Sequence, residues 1–430
     1  MSKLSNALYN DARMAASHLH DAQKSLRVLK ALSWGPEVGA AFLAGGGAEM
    51  PNVHYPQFDG AQARAHIKAA RGLVNGEHPV QKWLQRTADK LELAAAMLGS
   101  VGTADFYTHS KTLYGTPEQY LLDKTNQTID LARHLDKVLA GLSSDNLILG
   151  GSHEIFGAGE FAKRLGAKLK PAMGADTPRI EITSHLSSKA LAGRTCIRIR
   201  ESARFSAMDV RQLFHHEAMV HTATAINGRE QKNFPILGSA HAGTTEIQEG
   251  LAVFAEIITG AMDPFRFKRL VDRVIAIQMS VEGADFIQVY RYFIGRGNDE
   301  RGSYESTRRV FRGGVLTGGA PFTKDGVYLN GLLRVHNFMR TVIKLGRGDL
   351  IRLLFVGKLD LEDVPALAEM ASHGRLKPPR ILPPWVKDMR FLVSYLAYSS
   401  FLNRVKLPGF QDYYADLLVD VPDIWDFAKC

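Results

Sequence analysis

Phe214-His215-His216-Glu217-Ala218-Met219-Val220-His221 decides how the rest of the chain is read, and Gln248-Glu249-Gly250-Leu251-Ala252 answers it further along. Two imidazoles and a distant carboxylate can supply three ligands to a divalent ion while leaving a fourth position for water. That is the donor set of a catalytic rather than a structural zinc site. The histidines, His216 and His221, stand at i and i+5. On a regular α-helix, five steps of about 100° leave two rings about 140° apart, too far round the cylinder to hold one ion. A local i→i+5 turn between Glu217 and His221 absorbs the extra residue and brings both rings to one face, and such π-bulges concentrate at functional sites. Glu217 then projects beside the bound water as general base.

The stretch from Gln248 to Glu256 reads as a second helix, with Leu251, Ala252, Val253 and Phe254 to bury and Glu249, the third ligand, near its start. Glu256 lies seven residues on, on the same face, where it can orient a histidine ligand from behind. The Gly-, Asn- and Pro-containing stretch 227–243 turns the chain between the two helices. The competing reading is an amphipathic helix whose histidines are satisfied inside the core, since a lone His-Glu pair matches by accident. The second helix, its acidic residues and the turn weigh against it.

His216-Glu217-x-x-x-His221 followed by Thr245-Glu246-Ile247-Gln248-Glu249-Gly250-Leu251-Ala252 resembles the QEGLA-motif family. Bacterial members were described as flavohemoglobin expression-modulating proteins, and eukaryotic relatives include the microtubule-associated tyrosine carboxypeptidases. The resemblance implies that His216, His221 and Glu249 hold zinc and that Glu217 is catalytic. It runs most clearly from about Arg179 to Leu345, with weaker family character in Leu113-Tyr114-Gly115-Thr116-Pro117. It also implies a bond cut near the C-terminus of a peptide or protein.

Length and composition bound the rest. At 430 residues and 45% hydrophobic content, the chain can bury a large core. No stretch approaches the roughly 20 consecutive apolar residues of a membrane span, and the N-terminus lacks a secretory pattern. Two cysteines, Cys196 and Cys430, make no disulfide framework. The expected home is cytoplasmic. A formal charge of +9 is spread over the chain rather than collected in a block. Nucleic acid is not an expected partner, because no Cys/His finger or aromatic RNA-binding signature is present, and Gly45-Gly46-Gly47 lacks the lysine and serine of a phosphate loop. Nothing in the sequence bears on oligomeric state.

Up to about residue 175 the pattern is helical: Leu4 to Leu32, Asp59 to Leu73, Val80 to Leu98 and Thr116 to Leu142, the last with Pro117 in its first turn. From Arg179 the period changes to two. Arg179 to Thr183 and Thr195 to Arg200 alternate apolar and polar, with Leu191-Ala192-Gly193 at the turn of an antiparallel pair. Ser206 caps the following helix, with Asp209 three residues in.

A carboxypeptidase neutralises its substrate's terminal carboxylate, and Arg308, Arg309 and Arg312 are the candidates for that fork. Tyr328 and Lys324, in a segment that resembles a recurrent part of the same family, are candidates for stabilising the oxyanion. His336 reads as structural. The expected fold is α+β and mostly α-helical, a gluzincin-like metallopeptidase core with a small antiparallel sheet before a bulged metal-binding helix. Its soft divisions are a helical region 1–175, a zinc-binding catalytic core 176–345 and a helical region 346–430. The expected activity is that of a zinc-dependent metallopeptidase, a carboxypeptidase acting by metal-activated water. The alternatives are a non-hydrolytic regulatory protein with a structural metal, or an iron oxygenase built on two histidines and one carboxylate.

Overall fold

Short side chains set how the N-terminal part packs. In helix α1 (Asn6–Ser25), Ala12, Ala15, Ala16 and Ala22 share a fully buried face with Leu19. Methyl groups of that size let the backbones of α2 (Ala61–Leu73) and α3 (Pro79–Gly99) approach closely. Pro79 opens α3 at its first turn, where no amide donor is lost. The computed structural model describes residues 4–141 and 155–403, apart from 185, 187, 188 and 194, together with 413, 414, 416 and 417. Cys430 and Leu142 lie outside those residues.

The expected helix from Thr116 begins only at Thr128 and runs to Gly141. Its missing first turns are replaced by a loop that Asp123 organises, accepting from the amides of Thr125 and Asn126 and from the Asn126 side chain. Lys124 sits there at φ 59°. Asp and Asn offer the backbone this alternative to a helix, and here it wins.

The sheet also departs from expectation. It has three strands in the order β1–β3–β2, with β1 (Arg179–Thr183), β2 (Ala190–Ala192) and β3 (Cys196–Arg200). The two alternating strands, β1 and β3, pair in parallel, and β2 pairs antiparallel with β3. Leu191 and Ala192 are therefore in a strand rather than a turn. The residues between β1 and β3 are enough for a return crossing, and β2 is laid down on the way back.

Beyond the sheet, α4 (Ala207–Leu213) starts at Ser206, whose side chain accepts from the Asp209 amide while the Asp209 carboxylate accepts from the Ser206 amide. A π-helix, Phe214–Thr222, follows without a break and passes into α5 (Ala223–Glu230). Then come α6 (Thr245–Ile258), α7 (Pro264–Val281) and α8 (Val327–Lys344). Helices α6 and α8 cross in direct backbone contact. A Cβ on Gly250 would lie 2.1 Å from the Gly331 carbonyl carbon, and one on Gly331 would lie 2.2 Å from the Glu246 oxygen.

The largest apolar cluster takes residues from Tyr9 to Leu396, including Val220, Leu251, Phe254, Tyr328 and Leu367. A second, around Phe161, Ile197, Phe205, Phe214 and Met219, lies under the sheet. The π segment contributes to both, so each flank is fixed by packing. Among the described residues no helix is long and apolar enough to cross a membrane.

Candidate metal centre

The π register answers the spacing problem, over nine residues rather than one extra turn. With bonds running i→i+5, His216 and His221 come to the same side, their ring centroids 4.9 Å apart and their planes at 80°. Glu249, in the first turns of α6, faces both. Its Oε2 lies 3.6 Å from His216 Nε2 and 3.4 Å from His221 Nε2. One ligand atom from each of the three residues falls within 4.8 Å of the others. In a tetrahedral site with bonds of about 2.1 Å, ligand atoms are separated by about 3.4 Å. The two histidine–carboxylate edges match that length, so the donor set fits an ion of zinc's size.

Two of the three candidate ligands, His216 and Glu249, are held from behind. His216 is 4% exposed, and its Nδ1 lies 2.5 Å from Glu256 Oε1, which leaves Nε2 to face Glu249. Glu256, fully buried, also accepts from Arg266 Nε and Nη2 at 3.1 Å each and from Gln212 at 3.2 Å. The second oxygen of Glu249 accepts from Lys324 Nζ at 3.0 Å. Glu217 Oε1 lies 3.9 Å from His216 Nε2, on the open side.

Electrostatics agree with the geometry. Burial works against the charge of Glu249, but Lys324 and the two histidines hold its carboxyl well below the usual range. Burial likewise opposes the Glu256 charge, and Arg266 with His216 overcomes it, down to about 2. His216 would lose its proton through burial alone, yet its bonds to Glu249 and Glu256 lift it to about 10. The carboxylates thus call for positive charge at the imidazole, and a divalent ion at Nε2 supplies it in place of a proton.

The other expected residues divide. Lys324 is in the site but bonded to the ligand Glu249, rather than free for an oxyanion. Tyr328 lies beside it, with Lys324 Nζ 5.0 Å and the Arg273 guanidinium 5.3 Å from its ring centroid. Arg309 forks onto Asp325 at 2.5 and 3.0 Å, and Arg308 is bonded to Glu305 at 2.5 Å. Arg312 is buried over the Phe322 ring. Asp325, in the 3-10 turn Thr323–Gly326 before α8, pairs with Arg309 and lies 3.8 Å from Arg273. His336 packs between Phe254 and Tyr395.

Four neighbours of the centre stand outside the sequence motifs: Gln212, Arg266, Arg273 and Lys358. Arg266 and Arg273 sit seven residues apart on α7, a helical repeat that marks one face. Arg273 lies 3.8 Å from Asp325 and makes no hydrogen bond among the described residues. Lys358, in the connection before the 3-10 turn Leu361–Asp363, donates to Gln248 Oε1 at 2.9 Å and to the His221 carbonyl at 3.2 Å.

With this geometry in view, comparison with known families matches the chain to the microtubule-associated tyrosine carboxypeptidases over residues 40–404. The chain belongs to that family. Every residue of the centre described above falls inside the matched span. Family membership carries a carboxypeptidase-like function and a peptide or protein substrate, as the resemblance had implied. No curated protein matches the chain.

Proposed function

We propose that the protein is a zinc-dependent carboxypeptidase that releases residues from the C-terminus of peptides or proteins. The observation that carries the reading is the convergence of His216, His221 and Glu249 within 4.8 Å, with Glu217 at the open side. A bound zinc ion supplies a Lewis acid for the scissile carbonyl and lowers the pKa of water. His216, His221 and Glu249 would hold it. Glu217 takes a proton from the attacking water at its carboxylate and delivers it to the departing amine. Lys324 occupies one oxygen of Glu249 and so keeps that ligand to a single donor atom. The Tyr328 hydroxyl makes no hydrogen bond among the described residues and is the group proposed for the developing oxyanion.

The substrate's terminal carboxylate is assigned to Arg273. Arg308 and Arg309 are engaged with Glu305 and Asp325, and Arg312 is covered. Arg273 keeps its donors, on the helix whose Arg266 braces the centre.

The test is mass spectrometry of a C-terminally diverse peptide library incubated with wild type and Glu217→Gln, alongside elemental analysis of both. Zinc in both proteins, and terminal release by wild type alone, is the expected result. The loss on substitution should be about 10²- to 10⁴-fold in kcat. Internal cuts, no cleavage by zinc-loaded wild type, or iron with oxygen-dependent turnover would each overturn the reading.

A further inference from the structure

Lys358 has no part in the chemistry above, yet its ammonium is buried, at 8% residue exposure. A buried ammonium ordinarily has a carboxylate against it, because desolvation costs several kcal/mol by the usual order of magnitude. Among the described residues none lies within salt-bridge distance of Lys358. Its bonds go instead to two neutral acceptors, the His221 carbonyl at 3.2 Å and Gln248 Oε1 at 2.9 Å. His221 is one proposed ligand, and Gln248 immediately precedes another. The Lys358 amide is itself tied to the Leu237 carbonyl at 2.7 Å, so the loop is anchored to the segment that follows α5.

The register of the helix explains the arrangement. Where the π segment returns to α at Ala223, the Ala223 amide reaches both the Ala218 and the Val220 carbonyls. The Ala223 amide skips the Met219 carbonyl between them, so the end of the π segment is an irregular point of the helix. Side chains gather at this junction. Thr224 Oγ1 lies 2.7 Å from the Val220 carbonyl, 3.3 Å from that of His221 and 2.9 Å from Gln248 Oε1, and Lys358 also donates to the His221 carbonyl. Lys358 thus ties the backbone at His221 to Gln248 in the first turn of α6, the residue before Glu249.

We propose that Lys358 is a positioning residue: by donating to the His221 carbonyl and to Gln248 it fixes the end of the π segment, and with it His221, against the helix that carries Glu249. The proposal rests on the metal reading given above. It predicts a separation that a merely structural lysine would not produce. Replacing a buried, unpaired charge by an apolar side chain of similar length is often neutral or stabilising, so Lys358→Met should leave the melting temperature of the metal-stripped full chain unchanged or raised. Its zinc affinity, read by competition with a chromogenic chelator, should fall about 10- to 100-fold, the usual cost of losing a group that orients a ligand. Amide exchange over residues 214–226 should quicken.

Gln248→Leu, which removes one acceptor and keeps the lysine, is the second variant. Its loss of zinc affinity and that of Lys358→Met should be non-additive in the double variant. Wild-type affinity in Lys358→Met, or additive losses, would overturn the proposal and leave the metal reading standing. A wild-type chain that fails to bind zinc would overturn the metal reading first. If Lys358→Met does not fold, normal zinc affinity in Gln248→Leu overturns the proposal.

Discussion

Four guanidiniums lie close to one another near the centre, and their partners decide what each can do. Arg266 braces Glu256, Arg309 is forked onto Asp325, Arg312 is buried over a phenyl ring, and Arg273 keeps its donors. Arg273→Gln should therefore lower kcat/KM for peptides ending in a free carboxylate by about 30- to 1000-fold, the loss of about 2–4 kcal/mol for a charge-assisted fork. C-terminally amidated peptides should be little affected. Steady-state kinetics on an acid and amide pair checks this, and equal losses on both would remove Arg273 from the role. The convergence of His216, His221 and Glu249 was legible in the sequence because histidine and glutamate at these spacings carry their chemistry with them. The arginines were not. Arg308, Arg309 and Arg312 were each candidates by residue type alone, but sequence does not show that their guanidiniums are already paired or covered in the fold. Arg273 and Lys358 acquire meaning only when distant segments fold against them.

At the scale of elements, the histidine spacing foretold an i→i+5 register, and a π-helix of nine residues provides it. The capping box at Ser206 was equally readable, since both of its partners are local. The strand directions were not, because alternation reports which face of a strand is buried and says nothing about which way its neighbour runs. The crossing of α6 and α8 at Gly250 and Gly331 gives the motif glycine a physical reason, for no side chain fits between the two backbones. Gly250→Ala should force the helices apart and cost at least about 3 kcal/mol, the upper part of the overpacking range. The midpoint of urea unfolding measures it. A shift corresponding to less than about 1 kcal/mol would mean that the helices can separate without strain.

Taken whole, the chain has its largest core running through all three of the segments that the sequence suggested, and it buries titratable groups along the way. His241, 8% exposed just before α6, is one of them. Burial, helped by the charge of Lys358, pushes its pKa from the ordinary 6.5 to about 4. The unfolded chain therefore takes up a proton that the folded one refuses. Stability from this group is complete above pH 6.5 and is lost as pH falls towards 4, by about 2 kcal/mol at pH 5. His241→Asn should flatten that part of the stability curve, seen as a smaller difference in urea midpoint between pH 7 and pH 5 than in wild type. An undiminished difference would place the acid sensitivity elsewhere.

The bare contact between α6 and α8 has one more consequence. Glu249 adjoins Gly250, and Tyr328 sits three residues before Gly331, so two walls of the centre are bolted together where no hinge can form. A peptide entering the cleft meets a fixed anvil, and the give that admits it belongs to the surrounding loops and helices.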